Sequence, residues 1–167
     1  MFDVRWLKSL YRNQLRGVTR TGVAADCATQ HAFNVFQING ENVIVSIIGK
    51  VVADKAVGAQ TLEIGFTPTG GARTIIAIAS ATTASDVANK YYTWDGVLGT
   101  AVIVAQTGDV IGVGAAGSAL AGTSKAQNIF CPGIIDITTA AANDLTGLIN
   151  WTVLYKPMSI NSSVTAL

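Results

Sequence analysis

The chain has 167 residues and a mass of 17.3 kDa, with 50% hydrophobic residues, only 13% charged residues, a mean hydropathy of +0.43 and a formal net charge of +1. That length predicts one domain with a full core, and a folded monomer of this mass would expose roughly 7,800 Å², about one charged side chain per 370 Å². No run approaches the ~20 apolar residues of a membrane span, so the sparse charge predicts an obligate oligomer or a subunit of a larger assembly rather than a membrane protein.

The first 20 residues hold Arg5, Lys8, Arg12, Arg16 and Arg20 against Asp3, and so carry a net +4. The remaining six basic and nine acidic residues sum to −3. Charges at Asp3, Arg5 and Lys8 interrupt the apolar core a secretory signal would need, which predicts synthesis in a cytoplasm. There Cys27 and Cys131 stay thiols and are expected to be buried packing residues. On a helical wheel Arg5, Lys8, Arg12 and Arg16 form a narrow stripe, and Phe2, Val4, Trp6, Leu7, Leu10, Tyr11 and Leu15 cover the other side. Gly17 would end this helix. Such a helix either packs on its own domain with the stripe solvated or docks on a partner; neither a membrane nor nucleic acid is expected. Residues 18–31 read as an extended linker, so 1–31 form an arm that is helical or extended.

Strands follow. Residues 32–38, a tight turn at Asn39-Gly40 and residues 42–52 propose a hairpin, with Val43, Val45, Ile47 and Val51 on one face. Further strands are predicted at 61–66, 73–79, 90–94, 101–106, 110–114, 126–130 and 134–138, with one helical turn at 85–89. Turn signals stand at Pro68-Thr69-Gly70-Gly71, Asp95-Gly96, Thr107-Gly108-Asp109, Pro132-Gly133 and Asn143-Asp144. The organising strand is 147–157, where Ile149, Trp151, Val153 and Tyr155 share one face with period 2 and Pro157 closes the run. It should be central, with neighbours on both edges. The expected fold is all-β, an antiparallel sandwich of jelly-roll-like kind over 32–158. A flexible Gly/Ala/Ser/Thr loop at 114–127 and a tail at 159–167 reaching over a neighbour complete it.

Reactive constellations are not evident. The single histidine, His31, has Cys27 four residues away, too few ligands for a zinc site, and no nucleophile motif accompanies it. Gly112-Val113-Gly114-Ala115-Ala116-Gly117 matches a dinucleotide-binding fingerprint, and Asp136 lies about 20 residues on. The segment that follows is too short and glycine-broken for the crossover helix that the motif requires. No catalytic residue, metal or cofactor is therefore expected. Tyr91, Tyr92, Trp94 and Asp95 form an aromatic and acidic cluster suited to an interface or to core packing, with glycan recognition as the alternative. The sequons at Asn150 and Asn161 would go unused in a cytoplasmic protein.

The order of features resembles the small virion structural proteins of tailed bacteriophages, the capsid decoration or cement class. It is carried over about Ala32 to Val164 by Val43-Ile44-Val45-Ser46-Ile47-Ile48-Gly49-Lys50-Val51, then Gln60-Thr61-Leu62-Glu63-Ile64-Gly65-Phe66-Thr67-Pro68-Thr69. The Val-Gly-Val-Gly-type strand, Pro132-Gly133-Ile134-Ile135-Asp136-Ile137, and Gly147 with Trp151, Tyr155 and Pro157 follow. The resemblance implies a non-enzymatic homotrimer on the outer capsid surface, clamping neighbouring capsomers by binding the major capsid protein. The first 30 residues lie outside the matched region; Arg5, Trp6, Lys8, Arg12 and Arg16 are expected to fasten this arm to the capsid, with Trp and Arg as anchors. The alternative is a head-fibre or tail receptor-binding module that applies the Tyr91 to Asp95 cluster to host glycans.

Overall fold

A computed structural model describes residues 14–23, 26, 32–55, 60–80, 83, 86–105, 113–114, 118–119, 128–140 and 147–167. The described strands, in chain order, are β1 (Arg16–Arg20), β2 (Ala32–Asn39), β3 (Asn42–Ala53), β4 (Thr61–Pro68), β5 (Thr74–Ile78), β6 (Tyr91–Trp94) and β7 (Thr100–Ala101). They continue with β8 (Ile103–Ala105), β9 (Val113–Gly114), β10 (Ser118–Ala119), β11 (Ile129–Phe130), β12 (Gly133–Ala140), β13 (Leu148–Pro157) and β14 (Ser163–Ala166). Two sheets form a β-sandwich. Sheet I runs β1-β13-β3-β6-β8, with β11 beside the start of β3, and sheet II runs β14-β2-β12-β4-β5-β7. Pairing is antiparallel except between β5 and β7.

The predicted organising strand is β13. Ile149, Trp151, Val153 and Tyr155 are buried while the alternate residues are half-exposed, and β1 and β3 flank it. Ile44, Ile47, Val51, Tyr92 and Trp94 extend this inward face. Phe36, Ile38, Leu62, Ile64, Ile135 and Ile137 oppose it from sheet II. Each such side chain, fully buried, contributes about 1.5–3 kcal/mol from area removed from water. Across sheet I, Trp151 sits opposite Gly49, and Gly49 sits opposite Tyr92. The indole lies over the glycine and stacks on Tyr92, with ring centroids 6.4 Å apart.

Several expectations are corrected. Residues 32–38 and 42–52 do not pair as a hairpin: β2 lies in sheet II and β3 in sheet I. Asn39-Gly40 is an arch between the sheets, because both strands bury one face and each finds longer partners elsewhere. Gly40 takes φ +67°, and the Asn42 side-chain amide donates to the carbonyls of Asn39, Gly40 and Ser163. The predicted face of β3 is also out of phase. Bulges at Val45 and Val52 shift its register against β13, so Ile44 joins Ile47 and Val51 in the core in place of Val45. The predicted strand at 101–106 splits at buried Val102, which carries the chain from β7 in sheet II to β8 in sheet I and closes one side of the sandwich. The predicted helical turn at 85–89 is, over its described part, a turn at Ala88 and Asn89, with Asn89 at φ 69°.

Both flanking segments join the sandwich. Arg16 and Gly17 are extended rather than helical: β1 supplies the backbone partners that the outer edge of β13 would otherwise lack. Val18 to Arg20 therefore belong to a sheet and not to a linker. Residues 163–166 form β14 on β2, with Val164 buried, so this part of the tail packs on its own chain. Arg20 ties the two additions together. It donates to the Leu167 carbonyl, forms an ion pair with buried Asp26 and lies over the Phe33 ring at 5.3 Å.

Candidate functional site

One end of the sandwich gathers three of the links that change sheets and the β4–β5 turn within sheet II. The β2–β3 arch, the 131–132 link between β11 and β12, the β4–β5 turn and residues 158–162 all lie there. The Thr69 N–H donates to the Pro132 carbonyl at 2.9 Å, and the Met158 N–H to the Glu41 carbonyl at 3.0 Å. Asn42 and Gly40 pack against Ser162 and Ser163, so the arches nest on one another. Backbone bonds and the Asn42, Ser159 and Ser162 side chains thus tie these loops to one another. Ile129, Met158 and Ile160 are exposed there by 57%, 41% and 49%. Leu15 precedes Arg16, which pairs with Tyr155 beside Lys156 and Pro157, so exposed Leu15 belongs to the same end. Glu41 is also exposed there. Four exposed apolar side chains thus share this end as an apolar platform, together with charged Glu41, Arg73 and Lys156, where residue 14 leads into β1.

Of the arm residues singled out in the sequence, Arg5, Trp6, Lys8 and Arg12 lie outside the described residues, as do Cys27 and His31. Arg16 is half-buried in edge strand β1. Cys131, expected to be buried, is an exposed thiol, because it sits in the short link where the chain leaves sheet I for sheet II. The turn signals at 107–109 and 143–144 also fall outside the described residues.

The aromatic cluster does not present one surface. Strand alternation in β6 turns Tyr92 and Trp94 fully into the core and leaves Tyr91 half-exposed under the Lys50 ammonium. Asp95 caps the following turn, accepting from the Val97 N–H at 3.2 Å and the Thr100 hydroxyl at 3.3 Å. The Trp94 indole N–H donates to the Val97 carbonyl. Two of the three rings, Tyr92 and Trp94, are therefore packing groups.

Besides the Arg20–Asp26 pair, titratable side chains form two further networks. Buried Asp86 accepts from Lys90 and from the Tyr92 hydroxyl, while buried Lys55 donates to the Thr83 hydroxyl at 2.7 Å. On the outer face of sheet II, Arg73 lies across Gly65 and holds Asp136 with two guanidinium nitrogens, at 2.9 and 2.7 Å. Its remaining donors reach Glu63 at 3.0 Å and the Thr138 hydroxyl. The bond to Asp136 foremost, and then those to Glu63, raise the Arg73 pKa above the ordinary arginine value against an opposing desolvation. These contacts are braces. Among the described residues no group of three or more His, Cys, Asp or Glu could hold a metal ion. At the dinucleotide-like motif, Val113 and Gly114 pair antiparallel with Ser118 and Ala119, a strand pairing in the place where the motif requires a helix to begin. Of the predicted flexible loop, residues 115–117 and 120–127 lie outside the described residues. No described helix is long and apolar enough to cross a membrane.

Comparison with known proteins adds little. No protein-family model matches the chain, and no curated protein does. A chain from the structure of infectious bursal disease virus, Gx strain, aligns at 14% identity with a TM-score of 0.26, covering 92% of this chain and 39% of that one. The chain thus spans about two fifths of that protein's length. A TM-score so low carries no argument about fold or role.

Proposed function

We propose that the chain is a non-enzymatic virion structural protein, a decoration subunit that seats the arch end of its sandwich on the outer surface of a capsid. The observation that carries this reading is the apolar platform of Leu15, Ile129, Met158 and Ile160, placed where a basic, tryptophan-containing arm enters β1. The order of sequence features that resembles the decoration class points the same way, and buried Asp26, Lys55 and Asp86 are engaged in internal bonds. The major capsid protein is the partner. Apolar burial at the platform supplies affinity, and Arg5, Trp6, Lys8 and Arg12 add anchors to a neighbouring surface. Several weak attachments on one rigid subunit reinforce one another, since after the first the rest are effectively intramolecular.

The test is cosedimentation with emptied capsids of the virus that encodes the chain. Saturable binding is expected, lost in Met158→Asp/Ile160→Asp and in a chain lacking residues 1–13. Absence of binding by the intact chain would overturn the reading.

A further inference from the structure

Charge is sorted between the two sheets. The strands of sheet I contain Arg16, Arg20, Lys50 and Lys156 and no acidic residue, whereas those of sheet II contain Glu63 and Asp136 and no basic one. Arg16 and Arg20 alternate with outward Gly17 and Thr19 and so turn inward or to the edge. Lys50 and Lys156 stand on the outer face with half-exposed Ile48, Asn150, Thr152, Leu154 and Tyr91. The outer face of sheet II balances Glu63 and Asp136 against Arg73 alone, leaving it one negative charge. Beside Glu63 its strand β5 exposes Ile75 and Ile78 by 48% and 49%, and the adjoining turn exposes Leu98 by 50%. Gly99 N–H donates to the Ile76 carbonyl, which fixes that turn against β5.

We propose that these two surfaces bind each other between copies of the chain, the outer face of sheet I in one copy covering Ile75, Ile78, Leu98 and Glu63 of the next. This rests on the reading of the chain as an assembly subunit and supplies the self-contact it needs. The alternative of two sheet I faces meeting about a twofold axis would set Lys50 and Lys156 against their own copies, and like-charge juxtaposition opposes that. Patches that differ make a head-to-tail contact, which closes into a ring when the rotation allows. A ring whose axis runs along the strands would set the arch ends of all copies pointing the same way, leaving that end for the capsid.

The test uses two variants of the full chain, Lys50→Glu/Lys156→Glu and Ile75→Asp/Ile78→Asp, each checked for an unchanged far-UV spectrum. Light scattering should find the wild type as a closed oligomer and the aspartate variant as a monomer. The charge reversal should weaken association by roughly 10- to 100-fold. Mixed in equal amounts at a concentration where each alone is monomeric, the two variants should form a one-to-one dimer and nothing larger, since each retains the patch the other lacks. A monomeric wild type, variants that keep the wild-type mass, or no dimer on mixing would each overturn the proposal. Capsid binding by a monomeric wild type would leave the capsid role intact while removing this contact, and an oligomer that ignores capsids would do the reverse.

Discussion

Gly49→Ala gives the sharpest view of how the core is built. A Cβ at Gly49 would lie 2.7 Å from Cζ3, 2.8 Å from Cη2 and 2.9 Å from Cε3 of Trp151. Ordinary contact between carbons is about 3.5–4.0 Å, so the indole would have to retreat by roughly 0.5–1 Å. Its freedom to do so is small, since Trp151 is fully buried and stacked on Tyr92. Overpacking of this kind costs about 1–3 kcal/mol, and for a domain of this size each kcal/mol lowers Tm by about 2–4 °C. A fall of about 2–12 °C is expected, with a lower urea midpoint and an unchanged m-value. The three atoms in conflict belong to the six-membered ring of the indole, which Phe does not carry to the same place. In a Trp151→Phe background, Gly49→Ala should therefore cost at least 1 kcal/mol less, a coupling of the size found for residues in contact. Additivity to within about 0.5 kcal/mol, or a neutral single substitution, would refute the packing argument.

Other consequences follow from the same contacts. Arg73→Met strips Asp136 of its bidentate partner and should cost about 1–3 kcal/mol, the range appropriate to a pair that is only partly exposed. Because the Arg73 pKa is raised, its contribution is fully present below the ordinary arginine value and is lost only as pH climbs past the folded one. The difference between wild type and Arg73→Met in urea melts should accordingly be flat between pH 6 and pH 9. Asn42→Ala removes three donations to arch carbonyls and should lower stability by about 1–3 kcal/mol, most visibly as faster amide exchange in residues 158–164. Arg20→Met frees Asp26 and the Leu167 carbonyl; hydrogen exchange should accelerate in β1 and β14 while β3 and β12 keep their protection.

Much of the fold was readable because period 2 survives in long strands. β13, β4 and β12 appear where alternation of Ile, Val, Leu and aromatic residues predicts them, and β13 is flanked on both sides as its wholly apolar face requires. Asn39-Gly40 marks a reversal correctly, but turn chemistry specifies only local φ and ψ; it does not say whether the next strand stays in the same sheet. The bulges at Val45 and Val52 are equally silent, because an extra valine in a run of Val and Ile leaves the composition unchanged while reversing the facing. β1 and β14 are short, with one inward apolar residue each, Val18 and Val164, so pairing rather than pattern defines them.

At the site, the fate of Tyr92 and Trp94 was present in the sequence as their two-residue spacing in a strand. Composition drew attention to the cluster while periodicity would have divided it. The platform of Leu15, Ile129, Met158 and Ile160 carried no comparable signal: Leu15 and Ile160 are 145 positions apart, and the four share an end only through the way the strands are ordered. Arg73 and Asp136 are likewise 63 residues apart. Charge sorting becomes visible only once each strand has been assigned to its sheet.

The central claim is that this chain clamps a shell by contact and not by chemistry. Calorimetry of emptied capsids with and without saturating protein tests it most directly. The account predicts that the capsid transition moves to higher temperature with the intact chain and stays put with Met158→Asp/Ile160→Asp. A capsid transition unmoved by the intact, properly folded chain would contradict it.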